Sequence, residues 1–227
     1  MGILFSDIPA VAAATFTQNS VVSPSVIVSR NRLSNDTHRG IVVNSGCANC
    51  SVGSQGVLDA EEMISLASKN LEVSPDDLFV ASTGMIGVEL PMALIRQNIG
   101  NIKLDNNSGS DFAKSMMTTD TYHKERAVSF IHDGETVVIG GASKGVGMIH
   151  PNMATMLCFI STDANVDKLF LQEVLSDVVN DSFNMIDVDG DQSTNDSVIL
   201  LANGASETSQ INKGSDSADA FKEALSY

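Results

Sequence analysis

Short runs of β-branched and aromatic residues alternate along this chain with stretches in which apolar side chains recur every three or four positions. The runs Ile3–Phe5, Val26–Ser29, Gly40–Asn44, Leu78–Ala81, Ala127–Ile131, Thr136–Gly140, Thr155–Ser161 and Ser197–Ala202 read as strands. Between Leu58 and Leu71, the positions Ala60, Met63, Ile64, Ala67 and Leu71 fall on one helical stripe, with Glu61 and Glu62 placed in its first turn. Pro91 and Gly100 bracket a second helix. A third runs from about Val166 to Val179, its face built from Val166, Leu169, Phe170, Val174 and Val178. The polar tract Gly204–Ser217 reads as a loop before a short helix, Ala218–Leu225. No repeat separates these elements, and the alternation predicts a mixed α/β (α+β) protein with a substantial sheet.

Asn, Ser, Thr and Gly gather where the strands end: Asn44-Ser45-Gly46, Ser82-Thr83-Gly84, the run from Gly140 to Gly145, and Asp189-Gly190-Asp191. Loops that combine hydroxyls, amides and permissive glycines at strand ends are where binding groups usually sit.

Composition narrows the functional classes. With 227 residues and 43% hydrophobic side chains, the chain can bury a real core as one large or two small domains. Its net charge of −15 disfavours phosphate backbones and anionic membranes, so neither nucleic acid nor membrane is expected as a partner. No apolar stretch approaches the roughly 18 residues of a membrane span. The start, MGILFSDIPAVAAATF, has no Lys or Arg before Arg30 and carries Asp7, so it reads as strand and loop rather than a signal peptide. Gly2 with Ser6 fits a myristoylation pattern only in its letters. Three cysteines make no disulfide framework, which points to a reducing, cytoplasmic setting.

Several familiar motifs fail on inspection. Gly141-Ala142-Ser143-Lys144-Gly145 has the spacing of a serine-hydrolase elbow, but the last histidine, His150, follows by only a few residues, and no acid-then-histidine pair comes after it. Gly145, not Ser or Thr, follows Lys144, which excludes a phosphate-binding P-loop. Cys47-Ala48-Asn49-Cys50 supplies half of a four-ligand zinc site, and Asp187–Asp191 has its glycine two positions early for a calcium loop. No metal is expected, and none of His38, His123, His132 and His150 is placed as a catalytic base.

What survives is the segment from Lys144 to Leu157, KGVGMIHPNMATML, in which a glycine turn and a proline lead into a threonine that opens an apolar strand. A threonine hydroxyl needs a base beside it, and cleavage of the backbone before Thr155 would supply one, because the freed α-amine is tethered to the hydroxyl it must activate. A threonine at a strand start is also an ordinary β-former, so the residues alone leave both readings open.

This segment resembles the self-cleaving hallmark of the ornithine acetyltransferase (glutamate N-acetyltransferase) family of N-terminal-nucleophile enzymes. Further blocks resemble the family in order: Asn44-Ser45-Gly46 with Ala48-Asn49, Ser82 to Gly87, Met117 to Thr121, Ser182-Phe183-Asn184, Val188 to Asp191 with Ser193 to Asp196, and Leu201 to Gly204. The resemblance implies that family's N-terminal-nucleophile fold, of sheets packed with helices. It implies cleavage between Ala154 and Thr155, making residues 1–154 an α-chain region and residues 155–227 the start of a β-chain region. It gives Thr155 as nucleophile, Thr83 and Gly84 as oxyanion-hole donors, and Thr118, Lys144 and Thr155 as substrate-binding residues. The implied reaction is transfer of the acetyl group from N-acetylornithine to glutamate in arginine biosynthesis, releasing ornithine, without metal or organic cofactor. Acetyl-CoA is a further acetyl donor for some members, which makes those bifunctional, and assemblies of α and β chains, as heterotetramers, are implied as well.

The chain departs from the family at Cys47 and Cys50, where Asn and Ala are usual. It is also expected to be short at both ends, lacking an initial strand and a later D-G-E-G-A-T-K block with its substrate-binding glutamate and a distal Asn/Thr pair. Two alternatives therefore stand beside the transferase: an N-terminal-nucleophile aminopeptidase or amidase, and an inactive remnant that keeps the motifs without the complete pocket.

Overall fold

The computed structural model describes residues 1–149 and 156–227. In chain order these form β1 (Gly2–Phe16), α1 (Pro24–Arg32), β2 (His38–Cys47), α2 (Gln55–Leu71), β3 (Leu78–Met85), α3 (Met92–Asn98), α4 (Gly109–Ser115), β4 (Lys124–His132), β5 (Glu135–Lys144), β6 (Leu157–Thr162), α5 (Lys168–Asp181), β7 (Ser197–Ala202) and α6 (Ala218–Ser226). The mixed α/β expectation holds. The strands join in one sheet, in the order β3-β2-β1-β7-β6-β5-β4.

One predicted strand is a helix. Val26–Ser29 lies inside α1, which Ser23 caps by accepting the Ser25 N–H at 3.2 Å and which Pro24 enters in its first turn. The cap satisfies an otherwise orphaned donor and proline pre-sets the helical φ, which together outweigh the strand preference of a Val-Ile-Val run. Packing adds to it: Ser29 Oγ donates to the Val80 carbonyl at 2.6 Å and accepts the Val80 N–H at 2.8 Å, clipping α1 to β3.

Helix α2 begins at Gln55, so Glu61 and Glu62 sit past its first turn and pair instead with Arg32 and Arg96. The predicted stripe is real: Ala60, Met63, Ile64 and Ala67 are fully buried. Helix α4 carries no such stripe and was not foreseen. Asp167 caps α5 through the N–H groups of Leu169 and Phe170. Asp133 and Gly134, with φ of 54° and 84°, make the two-residue turn of the β4–β5 hairpin.

Alternation along the strands sorts side chains into layers. Ile41, Val43, Phe79, Ala81, Phe159, Ile199 and Leu201 share one inner cluster drawn from both halves of the sheet, with α4 contributing Ala113. The opposite faces pack outward: Val42, Leu78 and Val80 meet α1, α2 and α3, while Cys158, Val198 and Leu200 meet α5 and α6. Strand β1 links the halves, since Gly2–Phe5 pair with β2 and Val11–Phe16 pair with β7. Its Ala12, Ala13 and Ala14 are nearly inaccessible, small side chains at the seam between the layers.

This topology decides where chemistry can sit. Strands β2 and β3 run parallel, so their C-terminal ends lie together. Lys144, at the end of β5, pairs with Leu157 at the start of β6, and Leu157 pairs with Ser197 at the start of parallel β7.

Candidate active site

Asn44-Ser45-Gly46 and Ser82-Thr83-Gly84 are separated by some forty residues in sequence but run side by side, with Ser45 opposite Thr83 and Gly46 opposite Gly84. The approach is too close for any side chain at Gly84. A Cβ there would lie 2.3 Å from the Gly46 carbonyl carbon, and its φ of +132° is one that L residues rarely adopt. Close ladder contact therefore fixes the Gly84 backbone at the lip of a cleft of about 670 Å³, whose walls include Ser45, Thr83, Thr118, Lys144, Thr194 and Asn195.

Lys144 is the centre of this cleft. Only 4% exposed, its Nζ donates to Thr83 Oγ1 at 3.1 Å and to Thr118 Oγ1 at 3.3 Å. An ammonium can only donate, so Thr83 receives this bond through its oxygen and keeps its own proton to give elsewhere. Burial pushes the Lys144 ammonium below its ordinary range, with nearby Lys124 in the same direction, while Asp120 and Asp196 oppose the shift. Sequence placed Thr83, Gly84, Thr118 and Lys144 in one site, and the fold brings all four to one cleft.

Asp120 braces the loop that carries Thr118. Its Oδ1 accepts from Lys124 at 2.7 Å and from the Gly145 N–H at 2.8 Å, while Oδ2 accepts the Thr118 N–H at 3.4 Å. Burial alone would raise this carboxyl, but Lys124 and the two backbone donors outweigh it and hold the group below the usual carboxylate range.

The Ser193–Asp196 block supplies a polar scaffold beneath the cleft. The Asn195 amide donates to the carbonyls of Ala48 and Ser82 and to Ser23 Oγ, tying together the ends of β2, β3 and the approach to α1. Ser82 Oγ in turn bonds Ser25 Oγ, which accepts from Asn49 at 3.1 Å. All of these side chains are buried, so the peptide carrying Thr83 is held by several partners at once.

Two aspartates hold the chain on either side of the hallmark threonine. Asp189 accepts the N–H groups of Met148 and Ile149, where Met148 has a left-handed φ of +56°. Those backbone bonds keep the Asp189 carboxyl below its ordinary range. On the far side Asp196 Oδ1 accepts the Met156 N–H at 2.9 Å. Ala154 and Thr155 themselves, and His150, lie outside the described residues.

Asn195, Asp196 and Asp120 are not individually assigned a role by the sequence, and Asp189 is read there only as part of a loop and a failed calcium turn. Each stands inside a block that the sequence marks for other reasons; for Asn195 and Asp196 the available signal is an amide and an acid among small hydroxyl residues directly before the fully buried strand β7. Within the Asp187–Asp191 turn, Asp187 Oδ1 accepts the Gly190 N–H at 3.1 Å and Asp189 Oδ1 accepts the Asp191 N–H at 3.3 Å. The cysteines are unpaired thiols, and burial pushes Cys158 up to about 12. Among the described residues no group of three His, Cys, Asp or Glu is arranged to hold a metal, and no helix is long and apolar enough to cross a membrane. His38, His123 and His132 do not line the cleft.

The chain is 47% identical over 225 residues to the arginine biosynthesis bifunctional protein ArgJ of Dehalococcoides mccartyi (strain CBDB1), covering 99% of this chain and 56% of that protein. It is 46% identical over 233 residues to the glutamate N-acetyltransferase of Methanocaldococcus jannaschii, covering 100% of this chain and 57% of that protein. The chain thus spans little more than half the length of these relatives. Among solved structures, the arginine biosynthesis bifunctional protein ArgJ from Bacillus halodurans superposes with a TM-score of 0.65 at 34% identity, over 67% of this chain and 81% of that one. The sequence pattern of the ArgJ family matches residues 1–227, every position of the chain, and on that match the chain belongs to the ArgJ family.

Proposed function

We propose that this chain carries the acyl-transfer site of a glutamate N-acetyltransferase of arginine biosynthesis, moving an acetyl group from N-acetylornithine to glutamate. The observation that carries the reading is the Lys144 to Thr83 hydrogen bond beside the Gly84 backbone. Because Lys144 occupies the oxygen of Thr83, the Thr83 O–H is left to donate to an oxyanion, with the Gly84 backbone beside it at the lip of the cleft. Removing one donor of this kind typically costs about 3–4 kcal/mol of transition-state stabilisation.

In this reading the Ala154–Thr155 peptide opens by attack of the Thr155 hydroxyl on the Ala154 carbonyl. The resulting ester is hydrolysed, leaving Thr155 with a free α-amine and dividing the chain into an α region, 1–154, and a β region from 155. The amine then takes the proton of the Thr155 hydroxyl as it attacks the acetyl carbonyl of N-acetylornithine. The oxyanion is held by Thr83 and Gly84, and ornithine departs after receiving that proton. Glutamate attacks the acetyl ester through its own amine and leaves as N-acetylglutamate. Lys144 and Thr118 serve the substrate, the ammonium of Lys144 being suited to an amino-acid carboxylate. Nothing in the sequence of steps calls on a metal or an organic cofactor, and acetyl-CoA is a candidate second donor. Association of α and β chains as a heterotetramer, and a cytoplasmic setting, belong to the same proposal.

Mass spectrometry of the purified protein tests it. The unsubstituted chain is expected to give two pieces split before Thr155, and the Thr155→Ala chain one intact piece. Equal splitting of both would overturn the assignment of the nucleophile.

A further inference from the structure

The register of the β4–β5 hairpin sets Lys124 opposite Ser143, which brings two lysines, Lys124 and Lys144, to the same end of the sheet. One carboxylate, Asp120, reaches both places. Its Oδ1 accepts from the Lys124 ammonium at 2.7 Å and from the N–H of Gly145, one residue past Lys144, at 2.8 Å. Its Oδ2 accepts the Thr118 N–H at 3.4 Å, and the Thr118 hydroxyl in turn accepts from Lys144 Nζ at 3.3 Å. The Asp120 side chain is 0% exposed, so water and salt do little to screen its charge.

An ammonium removed from water is costly unless a counter-charge lies close to it. Lys144 is 4% exposed, and its Nζ donates to two neutral hydroxyls, those of Thr83 and Thr118. Neither hydroxyl offsets the charge. The charged groups that act on Lys144 are Asp120 from the loop before β4, Lys124 from β4 and Asp196 from the turn before β7. Burial pushes the ammonium down, Asp120 opposes that most strongly, Lys124 works with burial, and Asp196 adds a smaller opposition. For Asp120 itself burial works against ionisation, but Lys124 and the Gly145 and Thr118 N–H groups outweigh it and keep the carboxyl charged.

We propose that Asp120 is a positioning residue of the cleft: it joins the Thr118 loop to the backbone after Lys144 and is the counter-charge that keeps Lys144 an ammonium. This rests on the reading that Lys144 meets a substrate carboxylate, for which its charge must survive burial. Asp120 is not part of the cleft wall and acts through Lys144 and Thr118.

The test titrates Lys144. Protein isotopically enriched at the lysine ε-carbons is followed by NMR from about pH 7 to about pH 11, a span that contains the ordinary lysine value of about 10.4. The Lys144 resonance is identified by its loss in Lys144→Met. Asp120→Asn keeps an acceptor for the Gly145 N–H and removes the charge, so the Lys144 midpoint should fall by about one pH unit. Lys124→Met removes the competing cation, so there the midpoint should rise. Loosening of the loop alone would not move the midpoint in opposite directions in the two proteins. Equal midpoints in folded Asp120→Asn and in the unsubstituted chain would overturn the proposal. If Asp120→Asn does not fold, Lys124→Met decides: the Asp120 charge then acts on Lys144 alone, and an unchanged or lower midpoint overturns the proposal. Failure of the substrate reading has a separate signature, because N-acetylornithine would then bind Lys144→Met as tightly as the unsubstituted chain while the Lys144 titration still shifted.

Discussion

Substituting Gly84 by alanine puts the close approach of β2 and β3 to a direct test. The added Cβ would stand 2.3 Å from the Gly46 carbonyl carbon, 2.4 Å from its oxygen and 2.7 Å from the Cys47 nitrogen, all backbone atoms that cannot rotate aside. Relief requires the two strands to part at that rung. Holding an L residue at φ +132° costs about 1–3 kcal/mol. Displacing packed backbone adds about 1–3 kcal/mol more. A total of about 4 kcal/mol corresponds to a fall in melting temperature of about 8–16 °C for a domain of this size. Gly87→Ala is the control, since Gly87 has a φ of +78° with nothing within 4 Å of its would-be Cβ. That change carries only the conformational cost, about 1 kcal/mol or about 2–4 °C. Scanning calorimetry on both proteins, side by side with the parent, gives the comparison. If the two substitutions lower the melting temperature equally, the Gly46–Gly84 contact does not constrain the cleft lip, and the argument for a fixed Gly84 donor fails with it.

Two further outcomes follow from buried charge. Lys144→Met keeps length while removing the ammonium from Thr83 and Thr118, so the melting temperature should change by only a few degrees. N-acetylornithine should bind about 10–100-fold more weakly by titration calorimetry, the equivalent of losing one or two charge-assisted hydrogen bonds, and unchanged affinity would remove Lys144 from the site. His38 is 0% exposed and stacked on Phe79 at 4.2 Å. Burial, with Lys168 adding to it, drives its pKa from 6.5 down to about 4. The unfolded chain therefore takes up this proton at higher pH than the folded one. The contribution is fully present above about pH 6.5 and is lost as pH falls toward 4, by up to about 3 kcal/mol. His38→Phe should flatten that part of the stability curve in denaturant titrations run from pH 4 to 7, and an unchanged slope would refute the assignment.

Local chemistry was enough to place much of this protein. The apolar runs of β2, β3 and β7 announced strands because fully buried strands carry little else, and the Ala60–Ala67 stripe announced α2 because its spacing fits a single helical face. The cleft residues Thr83, Gly84, Thr118 and Lys144 are legible together because each sits in a block whose order and composition resemble one family. Other features depended on contacts between residues far apart in the chain. Val26–Ser29 became helix because the Ser23 cap and the Ser29 clip to Val80 decided what the side chains alone left ambiguous. Gly84 is irreplaceable only because Gly46 lies against it across a parallel pair. Asn195 and Asp196 stand in a block that resembles the family, but what they hold is visible only once folding buries them between the ends of β1, β2 and β3 and the start of β6. The sequence by itself determined the class of elements, the family and the list of reactive groups. Only the tertiary structure decided which carboxylate is buried, which hydroxyl keeps its proton and which backbone is fixed, because these depend on what water is excluded from and on which neighbour arrives from another strand.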